Sequence, residues 1–121
     1  RRCPGDLYSL LIEKSTGFEY AEAYTRPFIG VGFEGLETKP TPSYILRHTI
    51  SPKGEDTPFI GLGFNQSMNV DLFIPLAKTG ETVNASPFGR MGILFIRHDS
   101  FESMTKQHEE FIKRKMYTSI F

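Results

Sequence analysis

Arg1-Arg2-Cys3-Pro4-Gly5-Asp6 is the densest run of chemistry-bearing residues in the chain. An arginine followed by a Gly-Asp helix start places a guanidinium beside exposed backbone N–H groups. That combination suits phosphate or acyl-phosphate oxygens. Arg1 and Arg2 precede Cys3, a setting of the kind that activates thiols, but the position reads as structural. Cys3 is the single cysteine, which excludes an internal disulfide and leaves no metal-ligand spacing. His48, His98 and His108 form no H-x-x-x-H or similar pair. A serine nucleophile would sit on a sharp turn of the form Gly-x-Ser-x-Gly, and the chain contains none. Gly30-Val31-Gly32-Phe33-Glu34-Gly35 matches G-x-G-x-x-G. The dinucleotide fingerprint needs a strand before it and a helix after it, so that the helix N-terminus faces the pyrophosphate. Here a helical pattern precedes and Pro40 and Pro42 follow, so the segment reads as a loop.

The elements that would position these residues follow from periodicity. Residues 5–17 read as a helix with Asp6 as N-cap, Leu7, Leu10 and Leu11 on one face, and Gly17 at the left-handed position after the last turn. A second helical stretch covers residues 18–26 and stops at Pro27. Tyr44-Ile45-Leu46-Arg47-His48-Thr49-Ile50 is rich in β-formers, and residues 59–64 form a short apolar run with two glycines. Residues 68–76 alternate partly, with Val70, Leu72 and Ile74 on one face. Lys78-Thr79-Gly80-Glu81 is a turn, and the near-continuous apolar run 91–96 predicts a central strand buried on both faces. Asp99 and Glu102 have capping-box spacing before a helix whose apolar face carries Phe101, Met104, His108, Phe111, Ile112 and Lys115. Strands are grouped rather than alternating with helices. The expected fold class is therefore α+β: two N-terminal helices, a small mostly antiparallel sheet of three to five strands, and one C-terminal helix.

Composition narrows the function classes. The formal net charge is zero across 121 residues, which argues against a nucleic-acid partner, since such proteins carry a basic excess. No run of about 18 apolar residues is present, so no membrane span is expected. Without a charged-then-apolar leader, cytoplasmic localisation is the default. The chain opens without a methionine, which reads as a fragment boundary.

The opening thirty residues carry a resemblance. Arg1-Arg2-Cys3-Pro4-Gly5-Asp6-Leu7-Tyr8, then Leu11-Ile12, then Ser15-Thr16-Gly17, then a second helix closing at Gly30, resembles the stretch after the final acidic motif of ATP-grasp ligases. Further on, Lys78-Thr79-Gly80-Glu81, Arg90-Met91-Gly92-Ile93-Leu94-Phe95 and Asp99-Ser100-Phe101-Glu102 resemble the C-terminal subdomain of ATP-grasp amino-acid and peptide ligases. Pro27 and the glycine-rich segment 30–35 depart from the family pattern. The resemblance implies a carboxylate–amine or carbamoyl-phosphate-synthase-like ligase that works through an acyl phosphate, with ATP and Mg2+ as cofactors of the full-length enzyme. It implies residues 1–35 as the helical end of the ATP-grasp core and 36–121 as a C-terminal α+β subdomain. By the same resemblance Arg2 contacts the acyl phosphate or the carboxylate substrate, Gly5 lets backbone approach it, and Asp6 caps the helix or meets the substrate amine. The magnesium ligands would precede Arg1, so no metal site and no activity are expected of this chain alone. Its implied partners are the missing N-terminal core and the small-molecule carboxylate and amine substrates.

A different class also fits the residues. Phe28, Phe33, Phe59 and Phe64 lie beside glycines, and an apolar patch built from them would make the chain a free-standing β-rich binding or interaction module, with a homodimer as one way to cover the patch.

Overall fold

A computed structural model describes residues 5–40, 42–64, 68–113 and 117–120. The chain divides into two compact units, Arg1–Ile45 and Leu46–Phe121. The fold class is α+β, with two N-terminal helices, small antiparallel ladders and one C-terminal helix. No helix among the described residues is long and apolar enough to cross a membrane.

The first unit is helical. Helix α1 spans Tyr8–Thr16 and helix α2 spans Tyr20–Thr25, followed by a 3-10 turn at Arg26–Ile29. Proline has no N–H to donate, so Pro27 is tolerated at the start of the 3-10 turn and closes α2 there. Gly17 takes φ 76°, and its N–H bonds the Glu13 carbonyl at 2.8 Å, as its position after the last turn predicts. The start of α1 differs from expectation. It begins three residues later, its N-cap position is Leu7, and no side-chain oxygen caps it. Asp6 is therefore not the N-cap. Both Asp6 (φ 54°) and Leu7 (φ 63°) are left-handed, a turn that delays the helix. The other end of α1 is closed by returning chain: the N–H of Lys39 bonds the Thr16 carbonyl and that of Ser43 bonds the Ser15 carbonyl, each at 2.6 Å. These bonds satisfy carbonyls that a helix end leaves without intrahelical partners.

The second unit is built on strands. Strand β1 spans Tyr44–Ile50, β2 Thr57–Pro58, β3 Gly61–Phe64, β4 Val70–Pro75, β5 Thr82–Val83, β6 Gly92–His98 and β7 Tyr117–Ile120. The main sheet has the order β1-β6-β4, and β2/β5 and β3/β7 form separate two-stranded ladders. The ladders β2/β5, β3/β7 and β4/β6 are antiparallel. Met91, Ile93, Leu94, Phe95 and Ile96 are all essentially inaccessible, so β6 is the central strand buried on both faces that its composition predicts. Leu94 and Ile96 join Ile50, Phe59, Met68, Val83, Met91 and Phe111 in one core cluster, while Ile93 and Phe95 alternate with them.

Three sequence expectations are corrected here. First, Val70, Leu72 and Ile74 do not share a face. The register slips between Val70 and Leu72, because a bulge places two residues opposite one, and the phase of the strand shifts. Val70 and Phe73 pack on the core cluster instead. Second, helix α3 (Phe101–Lys113) is capped by Ser100, whose Oγ accepts the Ser103 N–H at 3.1 Å, one residue after the expected Asp99. Phe101 (64% exposed) and His108 face solvent, and Met104, Gln107 and Phe111 turn inward. The side chain of Ile112 and all of Lys115 lie outside the described residues. Third, Phe59 is buried and Phe64 packs edge-on against Phe73 with ring centroids 5.4 Å apart, so neither belongs to an exposed patch. Phe59 is held there by backbone: its N–H bonds the Glu81 carbonyl and its own carbonyl accepts from Gly80, both at 2.8 Å.

Because Leu94 is completely buried in the core cluster, Leu94→Ala should lower the unfolding free energy by about 2–5 kcal/mol in urea titration. Phe88→Ala, at an 85% exposed site, should change it by less than about 0.5 kcal/mol. Equal effects would contradict the placement of the core.

Candidate functional site

Of the predicted site residues, Gly5 and Asp6 lie at the entry to α1. Arg2 falls outside the described residues. Gly5 and Asp6 are exposed and adjacent in the turn that leads into the helix, with the Tyr8 N–H bonded to the Gly5 carbonyl at 3.2 Å. A Cβ added at Gly5 would meet nothing within 4 Å, and its φ is not positive. Neither packing nor backbone conformation therefore demands a glycine there. The absence of a Cβ leaves its backbone open to approach. Two successive left-handed residues, one of them leucine, make this the most strained backbone described in the chain. The N-terminus of α1, lacking a side-chain cap, adds a partial positive charge to the same turn.

The glycine-rich segment 30–35 is a loop organised by Arg26. Glu22 Oε1 accepts from the Arg26 guanidinium at 2.7 Å, one turn back on α2. Arg26 Nη1 then donates to the carbonyls of Gly32 (3.0 Å) and Glu34 (2.7 Å). Gly30 closes the 3-10 turn at φ 74°, and among the described residues no helix lies between residue 35 and the strand that starts at Tyr44. The segment thus lacks the strand-loop-helix context of a dinucleotide cradle. Wrapped around one guanidinium, it presents Phe28 (78% exposed), Ile29 (74%) and Phe33 (59%) to solvent.

A second polar feature lies in the other unit, where sequence reading saw only a structural histidine. Between the end of β6 and α3 is a cavity of about 360 Å³ whose walls include Asn69, His98, Asp99, Ser103, Lys106 and Gln107. The bulge in β4 turns Asp71 toward Arg97, whose Nη2 donates to Asp71 Oδ1 at 3.1 Å. Ser103 Oγ lies 3.4 Å from His98 Nδ1. His98 Nε2 and Gln107 Oε1 are buried and have no hydrogen-bond partner among the described residues. Their signal in the sequence was weak, because the alignment of His98 with Ser103 and Gln107 depends on where α3 begins. Among the described residues no group of three or more His, Cys, Asp or Glu is placed to hold a metal ion.

Two histidines have perturbed acidity. Burial lowers the pKa of His48, and the nearby His108, Lys53 and Arg47 push it the same way. Its ring stacks on Phe111 with centroids 4.3 Å apart. Burial also lowers His98, against an upward pull from Asp99.

No protein-family model and no curated protein matches the chain. Among solved structures, a phosphoribosylglycinamide synthetase from Anaerococcus prevotii is similar in fold, with a TM-score of 0.69 at 10% identity. The match covers 96% of this chain and 30% of that one. That protein is an ATP-grasp ligase, and at this identity the likeness is one of fold.

The histidine shifts set a pH dependence. The unfolded chain takes up these protons as pH falls through the ordinary histidine value of 6.5, while the folded chain resists until lower pH. Stability is thus full above 6.5 and declines as pH drops from there toward the folded values. The urea midpoint should fall between about pH 8 and pH 5, and His48→Phe, which keeps a ring against Phe111, should shrink that fall. A midpoint that rises on acidification would contradict the burial of these rings.

Proposed function

We propose that this chain is the C-terminal segment of an ATP-grasp ligase that joins a carboxylate to an amine through an acyl phosphate. It supplies one wall of the active site and a packing or lid subdomain. The observation that carries the reading is the fold likeness to an ATP-grasp ligase over 96% of the chain. The motifs at residues 1–30 and 78–102 support the same reading by a separate route, since 10% identity leaves little shared sequence. The chain spans about 30% of the length of the structure it matches, and the remainder is the proposed N-terminal core.

In this reading residues 1–35 belong to the helical end of the core and 36–121 to the C-terminal subdomain. ATP and Mg2+ are cofactors of the full-length enzyme. The described residues do not fit them: they offer no metal-ligating cluster, and the glycine-rich loop leads into no helix that would face a phosphate. The acyl-phosphate chemistry therefore belongs to the whole enzyme, and the segment contributes binding groups. Arg2 meets the acyl phosphate or the carboxylate substrate as a fixed charge, which matters because stabilising phosphoryl charge is the main catalytic task in such transfers. Gly5 leaves the backbone open at the uncapped start of α1. Asp6, which does not occupy the cap position, is assigned to the substrate amine.

The apolar side chains of Phe28, Ile29 and Phe33 are the surface on which the missing core packs. A homodimer through the same face is the competing arrangement. The zero net charge supports small-molecule substrates over nucleic acid, and we assign the enzyme to the cytoplasm without a membrane partner.

The test compares the chain with the longer polypeptide in ATP-dependent phosphate release, with hydroxylamine trapping the acyl phosphate. The longer protein should turn over and this chain alone should not. In the longer protein Arg2→Ala should lower kcat by about 10²–10³-fold, with Arg2→Lys recovering part of the loss. Turnover by the chain alone, or full activity of Arg2→Ala, would refute the assignment.

A further inference from the structure

Every residue from Pro27 to Gly35 is exposed, so this segment of the helical unit follows a defined path without burying a side chain of its own. The path is set by Arg26, whose side chain is only 17% exposed. Its Nε and Nη2 donate to Glu22 Oε1 at 3.2 and 2.7 Å, and Nη1 donates to the carbonyls of Gly32 and Glu34. The planar fork of a guanidinium reaches these three acceptors at once, which an ammonium on a flexible stem does with less fixed geometry.

The loop so held offers apolar side chains to solvent: Phe28, Ile29, Val31 and Phe33. The heptapeptide 58–64 matches 27–33 at all positions but one, with Leu62 in place of Val31. There the corresponding Phe59 is buried, and Leu62 and Phe64 pack on the core cluster. The first copy lacks that cover among the described residues.

Charge narrows what covers it. No side chain from Pro27 to Phe33 is charged, and Arg26 is the only cation between Glu19 and Leu36. Glu22 and the two carbonyls already engage it. A lipid surface is bound through Lys or Arg beside the apolar side chains, and none is free here. A charged groove would lose its water with no opposite charge facing it. A protein surface that is apolar and uncharged fits.

We propose that Arg26 is the positioning residue of a preformed docking face, Phe28-Ile29-Val31-Phe33, which seats in an uncharged apolar groove of the N-terminal core. The identity of that partner rests on the ligase reading above. A face already held in its docked conformation loses less freedom on contact. Removing the guanidinium therefore weakens docking without removing a contacting side chain.

The test is hydrogen exchange at residues 31–35, measured in this chain and in the longer polypeptide, with the amides of α1 as a folding control. Exchange should slow at least about tenfold in the longer polypeptide. Arg26→Gln should cut that gain by about threefold or more, and Arg26→Lys should restore only part of it. Phe28→Ala with Phe33→Ala, which leaves the guanidinium in place, should cut the gain as well. Adding Arg26→Gln to that pair should bring no further loss, because both act through one face. A purely structural Arg26 would leave the gain unchanged or add its own separate loss, and either result overturns the proposal. Equal exchange in both polypeptides overturns it too; if the longer protein still turns over ATP, the ligase reading survives alone. Protection without turnover supports the docking face and removes the ligase reading instead. A chain that sediments as a dimer, and as a monomer after Phe28→Ala, assigns the face to a second copy and overturns the proposal.

Discussion

Strand β6 has apolar side chains on both faces and hydrogen-bonded neighbours on both edges, and the architecture of Leu46–Phe121 follows from the need to cover it. Each fully buried side chain of this kind contributes about 1.5–3 kcal/mol relative to exposure, so the strand dominates the apolar burial of the unit. Neighbours are shaped to it. Gly92 lies under the ring of Phe73, where an added Cβ would come within 2.5 Å of ring carbons. The bulge in β4 lets Phe73 keep that place while Asp71 turns to Arg97. Beyond its buried run, β6 delivers Arg97 and His98 to a half-buried end, where the polar cavity begins.

The helical unit rests on backbone satisfaction more than on apolar burial. Ala23 and Ile45 are its buried hydrophobic residues among those described. In compensation, the carbonyls ending α1 accept from Lys39 and Ser43, and Arg26 gathers two loop carbonyls and a glutamate. Such an arrangement fixes a path for the chain while leaving phenylalanines outside.

Much of the fold was legible because hydrophobic period and burial agree in it. Tyr44–Ile50 was bounded correctly by β-forming residues, and the 91–96 run could only be a doubly buried strand. What escaped reading was set by single-residue phase. The bulge at Asp71 shifted one face of β4, Ser100 rather than Asp99 capped α3, and the inward face of α3 runs through Met104, Gln107 and Phe111 instead of Phe101 and His108. The repeated pattern Pro-Phe-Ile-Gly-x-Gly-Phe shows the limit most clearly. At 27–33 it makes a 3-10 turn and an exposed loop; at 58–64 it enters strand pairing and buries Phe59. Near-identical local sequence took different fates: the first copy bonds within its own turn and to Arg26, whereas Phe59 in the second exchanges backbone bonds with the distant Gly80 and Glu81. At the entry to α1 the left-handed turn at Asp6 and Leu7 was not legible, since nothing in that dipeptide signals a positive φ.

The proposed ligase reading joins a fold likeness to a set of motifs, and in that proposal residues upstream of Arg1 would hold nucleotide and metal. The most direct measurement is therefore the coding sequence immediately 5′ of the Arg1 codon. The account predicts an open frame that encodes a glutamate, then an asparagine or threonine two residues later, then Arg1-Arg2, all preceded by the remainder of an ATP-grasp core. A start codon or an in-frame stop directly upstream would contradict it.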